Sequence, residues 1–412
     1  MLKQLQAKLN FDSIYFYSFI LFAFTLPLSR ASISFFIVFI PLVWFFEGNL
    51  QQKIKSIQSN KFLIALFLYV FYLTLSLLWT QDLNLGLYKL RLSLYFLTIY
   101  VAYTALKPEY IEKITTAFLL GMFTSEIISY GIFFQLWTFN GKSPSDPVPF
   151  MHHIDYSVLL AITSMLLLNK ILSKLYNYKE KIVFLLFFFS VTGNLFLIGG
   201  RTGQVALIGG IIITVFLHYK VSIKSFFLTL FIFSTIFISA FNLSNTFHQK
   251  VLQTFSSINK ISSMNFNSSI GIRAAYAIVT YNIFLNHPLG VGVGDYKEAI
   301  TQELEIPGKY SLLPENITFM KTHHPHSQYN LILIQLGFIG ILLFIYLIYQ
   351  LLKLKIQDQE IKNFSIIFTV VYFTSCLTEP LFIKQFPLAL FVLFASLFVA
   401  STKAPKKASN EV

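Results

Sequence analysis

Three of the eight histidines fall within four residues, in His323-His324-Pro325-His326, followed at once by Ser327-Gln328-Tyr329-Asn330. An imidazole with an unperturbed pKa near 6.5 accepts a hydroxyl proton near neutral pH, so this cluster is a candidate general base, with His326 in that role. Zinc binding is the competing chemistry. Ligand spacings of one and two residues around a proline suit a single ion poorly, and no neighbouring cysteine completes a set, so no metal and no cofactor is expected. The bland alternative is a polar cap on a membrane helix.

The second group is the arginines. Only four of the 31 basic residues are arginine: Arg30, Arg91, Arg201 and Arg273. A guanidinium fork grips phosphate in a bidentate way and keeps its charge, where lysine offers a point charge. Arg201 sits in Gly199-Gly200-Arg201-Thr202-Gly203 and Arg273 follows Gly271-Ile272. Glycines let a backbone turn tightly and approach a ligand; a tight turn with a snorkelling arginine is the alternative. The stretch Pro288-Leu289-Gly290-Val291-Gly292-Val293-Gly294 has its glycines spaced G-x-G-x-G after a helical run, not G-x-G-x-x-G after a strand, which excludes a Rossmann nucleotide site.

The elements that position these groups are set by composition. The chain has 412 residues, 55% hydrophobic and only 12% charged, with a mean hydropathy of +0.66. A soluble protein of this size needs about twice that charged fraction, and a bilayer-spanning helix needs roughly 20 mostly apolar residues. Twelve such runs are expected, at about 13–29, 31–46, 62–79, 84–105, 111–138, 155–172, 181–199, 203–219, 224–242, 328–351, 363–378 and 384–401. The expected fold is therefore all-α and polytopic, a single membrane domain over 1–412. One large non-spanning segment, 243–327, is too long to be a mere connector. Cys376 is a lone cysteine in an apolar run, read as a packing residue. No cleaved signal peptide is expected; Ile14 to Leu28 is read as a retained first span.

Lysine placement orients the chain. With the N-terminus inside, Lys3, Lys8, Lys53, Lys55, Lys61, Lys107, Lys113, Lys170, Lys174, Lys179, Lys181, Lys220, Lys224, Lys353, Lys355, Lys362, Lys403, Lys406 and Lys407 are cytoplasmic, 19 of the 31 basic residues. Both termini are then cytoplasmic, and segment 243–327 and all four arginines lie outside. This use of basic residues explains the net charge of +13 and excludes nucleic acid as a partner. Four arginines on one face point to a phosphate or diphosphate. Arg30 and Lys142 are candidates for binding phosphates or lipid headgroups. His152 and His153, in another outer loop, are candidates for lining a substrate path, with a solvated loop as the alternative.

In this order, Gly200-Arg201-Thr202-Gly203, then Arg273 with Pro288-Leu289-Gly290-Val291-Gly292, then His324-Pro325-His326 with Gly337-Phe338-Ile339-Gly340, the motifs resemble the O-antigen ligase-like family of bacterial membrane glycosyltransferases. Leu78-Trp79-Thr80-Gln81-Asp82 and Arg91 resemble the start of its fourth span, while Ser327 stands where the family often has asparagine. The resemblance implies a GT-C-like fold in the bacterial inner membrane with a periplasmic active site. It implies a metal-independent, inverting transfer of a glycan from undecaprenyl diphosphate. Arg201, Arg273 and Arg91 would hold the diphosphate and His326 would be the catalytic base, with His323, His324 and Asn330 near the substrate. Lipid A–core is the acceptor expected of an O-antigen ligase. An O-antigen polymerase or a protein O-oligosaccharyltransferase stays open; the short stretch after the last span favours the ligase. A transporter of lipid-linked glycans is the reading from another class, disfavoured by charges at the outer boundary and by the lack of a repeat between halves.

Overall fold

The computed structural model describes residues 9–219, 222–262, 265–306, 309–310 and 312–403. Lys3, Lys8, Lys220, Lys406 and Lys407, used above for topology, lie outside them. Among the described residues every regular element is helical. Helices stand at all twelve expected positions: α1 (Phe11–Thr25), α2 (Arg30–Glu47), α4 (Lys61–Leu75), α5 and α6 (Leu83–Arg91 and Leu97–Ala105), α7 (Ile111–Phe133), α8 (His153–Leu172), α9 (Tyr178–Leu197), α10 (Arg201–Tyr219), α11 (Ile223–Leu243), α16 (Gln328–Leu352), α17 (Gln359–Ser375) and α18 (Gln385–Ala400). The intervening α3 (Leu50–Ile57) is a short connector.

The span count is lower than twelve. Eight helical stretches are long and apolar enough to cross a membrane, or nine if Thr229–Leu243 and Asn245–Ile261, bent by 105°, form one broken span. The shortfall is one of length. Helices α1, α17 and α18 hold 15, 17 and 16 residues. At 1.5 Å per residue that is about 22–26 Å, short of the roughly 30 Å hydrocarbon core.

Helix α8 is the centre of the bundle: it packs on α9, α10, α17 and α18, and nearly all its residues are buried. The outermost helices keep apolar stripes exposed, as on α2, where Phe35, Val38, Leu42 and Phe45 face outward, as lipid contact requires. Charged contacts gather at two levels. At one end Lys170 pairs with Glu112 at 2.7 Å and Glu360 at 3.4 Å, and Lys107 pairs with Asp12 at 2.6 Å. At the other lie Asp146, Asp155, Glu379 and Lys384 with their partners.

Residues 245–322 fold into α12 (Asn245–Ser262), α13 (Ser269–Asn286), α14 (Tyr296–Leu304) and α15 (Pro314–Thr322). Tyr276, Val279, Ile300, Met320, Leu331 and Ile334 bury themselves together in a second core, separate from that of the bundle. The glycine stretch clamps this unit to α16. Val291 N–H donates to the Ile334 carbonyl at 2.9 Å, Gly292 N–H to Gln335 at 3.0 Å, and Phe338 N–H to Pro288 at 2.9 Å. These bonds need α16 to break at Gly337, whose φ is +58° with ψ −150°. A Cβ there would overlap the Pro288 carbonyl, and one at Gly290 (φ +85°) would overlap that of Gln335. So the glycines serve backbone-to-backbone docking. Asp295 extends the clamp: its carboxylate accepts the Gln81 and Asp82 N–H groups at 2.8 Å each.

Gly337→Ala is therefore expected to destabilise the protein by about 1–3 kcal/mol, read as a lowered Tm in detergent, whereas Gly141→Ala, in open space at φ +67°, removes no such contact and has the smaller effect.

Candidate active site

His326 lies in the loop between α15 and α16. Ser327 ends that loop as the cap of α16, its hydroxyl accepting the Asn330 N–H at 3.4 Å, so its short side chain has a structural task. The His326 ring stacks on Phe319 (centroids 5.9 Å) and meets Tyr276 edge-on at 6.1 Å. Its Nδ1 lies 3.0 Å from Glu379 Oε2. A carboxylate only accepts, so Nδ1 carries the proton and the Nε2 lone pair is left free to accept one. A base held by a third group is the arrangement that proton abstraction requires.

Glu379 is fully buried in the turn between α17 and α18. Burial by itself raises its carboxyl; the hydrogen bond with His326 and the charge of Lys384 outweigh that and hold it at about 2, below the ordinary 4.5. Lys384 Nζ lies 2.6 Å from Glu379 Oε1 and 3.4 Å from Asp155 Oδ1. Glu379 and Asp155 are thus joined through one ammonium. His324 Nε2 is 3.9 Å from Glu379 Oε1. Burial pushes His324 down to about 4, so it is neutral at pH 7. The ligand atoms of His324, His326 and Glu379 lie within 4.8 Å of one another, close enough to bridge a cation. Yet the Glu379 oxygen facing His324 already carries the Lys384 charge, and a second cation there would meet like-charge repulsion.

The arginine turn is seated by close packing. Cβ atoms at Gly200 or Gly203 would overlap the His153 and Ser157 carbonyls of α8. Gly203 N–H donates to Ser157 Oγ at 3.0 Å, and Gly199 N–H to Asp146 Oδ1 at 2.9 Å. Thr378, beside Glu379, donates to Thr202 Oγ1 at 3.0 Å, tying the turn to the carboxylate loop. Arg201 donates to Gln253 at 3.1 Å and Arg273 to Ser269 at 3.2 Å. Among the described residues Arg201 Nη1 and Arg273 Nε are buried without a hydrogen-bond partner, and neither arginine is among the carboxylate pairs. The charges of Arg201 and Arg273 act on one another, and Arg273 feels Glu379. Two guanidinium groups with spare donors, next to a carboxylate-held imidazole, suit an anion beside a hydroxyl.

The remaining expected residues divide. Arg91 lines a cavity of about 620 Å³ with Arg30, His152, Asp155 and Lys384, to which neither Arg201 nor Arg273 contributes. Burial pushes His152 down to about 4. His153 pairs with Asp146 at 2.9 Å and so supports the arginine turn from behind. His323 is exposed, bonded to the Phe319 carbonyl at 3.0 Å and stacked on that ring at 4.1 Å, so its contacts run to its own helix end. The contacts of Asn330 and Lys142 are local, through the Ser327 cap and the Phe139 carbonyl. Sequence reasoning missed Glu379 as the partner of His326 and Lys384 as the link. The available signal was a glutamate and a lysine bracketing Pro380, between two apolar helices, where uncompensated charge is costly.

Residues 184–345, which contain the arginine turn, Arg273, the glycine clamp and the histidine loop, match the family model described as O-antigen ligase. This part of the chain is thus similar to the O-antigen ligase family, whose members are glycosyltransferase-type enzymes. No curated protein matches the chain.

Glu379→Gln keeps the volume but removes the charge facing His326 and Lys384, and kcat is expected to fall on the order of 10²-fold or more. A carboxyl titrating at about 2 when folded, against 4.5 ordinarily, stabilises the protein above pH 4.5 and loses that contribution as pH falls toward 2. The Tm difference between wild type and Glu379→Gln is therefore expected to be full at pH 7 and to shrink below pH 4.5.

Proposed function

We propose that the protein is an O-antigen ligase: it transfers a glycan from undecaprenyl diphosphate to a sugar hydroxyl of lipid A–core, at the periplasmic face of a bacterial inner membrane. The observation that carries the reading is the His326–Glu379 pair beside two arginines, each with a buried N–H group that has no partner among the described residues. His326 Nε2 takes the proton of the acceptor hydroxyl as its oxygen attacks the anomeric carbon. The bond from that carbon to the diphosphate oxygen breaks on the opposite side, so the configuration inverts. Arg201 and Arg273 take up the negative charge that grows on the leaving diphosphate, which departs without protonation. Glu379 keeps the imidazole in the required tautomer and stabilises the imidazolium. Paired carboxylates, as in a glycosidase, are not needed.

The reaction needs no divalent ion on this reading, because Lys384 and the arginines supply the positive charge. The lysine bias supports cytoplasmic termini and segment 243–327 as a periplasmic unit within one membrane domain.

Purified protein in vesicles, given undecaprenyl-diphosphate glycan and lipid A–core with EDTA present, is expected to attach glycan to core. His326→Ala and Arg273→Ala are each expected to lower the rate on the order of 10²–10⁴-fold. Longer lipid-linked chains in place of core product would make the protein a polymerase. Movement of the glycan between leaflets without any transfer would make it a transporter, and loss of activity with EDTA would sink the metal-independent step.

A further inference from the structure

The cavity that contains Arg91 raises a separate question. Arg30 opens α2 and Arg91 ends α5, so both sit at the site end of the bundle. Neither is among the carboxylate pairs of the described residues. Their guanidinium groups lie on aromatic faces instead, Arg30 at 5.6 Å from the Phe386 ring centroid and Arg91 at 4.9 Å from that of Tyr88. Stacking leaves the planar N–H edges available to an anion. The floor of the cavity is Lys384, the ammonium that joins Asp155 to Glu379. One wall is apolar, and its residues Val38 of α2 and Leu94, in the short 3-10 turn Leu92–Phe96 between α5 and α6, are more than half exposed. The space, which Asp155 also lines, therefore sets three cations, Arg30, Arg91 and Lys384, against one carboxylate at the end near His326, and has an exposed apolar flank. Its volume of about 620 Å³ is that of a small-molecule site.

We infer that this cavity is a second anion site, which receives the phosphate-bearing headgroup of a lipid-anchored acceptor while Arg201 and Arg273 hold the donor. The assignment rests on the reading that Arg201 and Arg273 bind the donor diphosphate. Three features favour it. The four arginines fall into two pairs, not one cluster, and a single diphosphate needs only one of them. The two sites meet at one ion network, since Lys384 borders the cavity and Glu379 links that lysine to His326. An acceptor anchored here thus brings its sugar hydroxyl toward the base from a different direction than the donor. Last, the apolar flank suits an amphiphile better than a free sugar phosphate.

Two experiments on the full chain in nanodiscs test it. The first measures transfer to lipid A–core before and after phosphatase treatment of the acceptor. Treatment is expected to raise the acceptor KM of wild type on the order of tenfold. The Arg30→Gln/Arg91→Gln double variant should show that raised KM with either acceptor, with its donor KM unchanged. A rise in donor KM, or equal use of both acceptors by wild type, overturns the inference. The second needs no transfer and uses phosphatidic acid, a phosphate monoester on a lipid anchor. It is expected to raise the Tm of wild type and of Arg273→Gln, but not of the double variant. An equal rise in the double variant, or an equal rise in wild type from phosphatidylglycerol, overturns a dedicated phosphate site in favour of general anionic-lipid contact. If the second experiment succeeds while wild type transfers glycan to no acceptor, the ligase reading fails and the anion site stands.

Discussion

The structure turns on one buried carboxylate. Removing Glu379 from water carries a penalty of several kcal/mol unless opposite charge and hydrogen bonds replace its hydration. Lys384 and His326 provide both, one on each oxygen. Because the partners come from different elements, satisfying this charge fixes the loop before α16, the turn after α17 and, through Asp155, the start of the central helix α8. The same contact that makes the charge tolerable also sets the tautomer of the imidazole.

Around that centre the chain uses backbone contact where a membrane protein would otherwise rely on side-chain packing. The Gly290–Gly337 docking joins the 245–322 unit to α16 through main-chain bonds, and the Gly200–Gly203 turn presses α10 against α8 with almost no side-chain volume between. Small residues at such crossings let helices approach closely in lipid, where no hydrophobic force drives them together. The result is that Arg201 and Arg273 are carried on helices, and His326 on the loop that Ser327 caps at the start of α16. Thr202 and Thr378 tie two of those elements directly.

The distribution of cations follows a similar economy. Lysines at the far end of the bundle pair with acids, as Lys170 does with Glu112 and Glu360. Among the described residues the arginines at the site end have no such pairing: two keep a buried N–H group without a partner there, and two lie on aromatic rings. A fork kept free of carboxylates retains its capacity for an external anion, and its weak hydration keeps it tolerable in a half-buried place.

Much of this was legible in the residues themselves. Apolar runs alone determine a helical membrane protein, because only helices satisfy their backbone within a single apolar segment. Helices indeed occupy all twelve expected positions, although three are too short to count as full spans. The arginine turn, Arg273 and the histidine loop were legible as motifs, since unusual residue types at fixed spacing need no tertiary knowledge. What only the tertiary structure decided was pairing at long range. Glu379 lies 53 residues from His326, and nothing local marks a glutamate in an apolar neighbourhood as the partner of a particular base. For the same reason the sequence placed Arg91 with Arg201 and Arg273, whereas the fold sets it beside Arg30. Helix ends share a membrane face by topology, but their neighbours on that face follow from how the helices pack, and that depends on shape complementarity across the whole bundle.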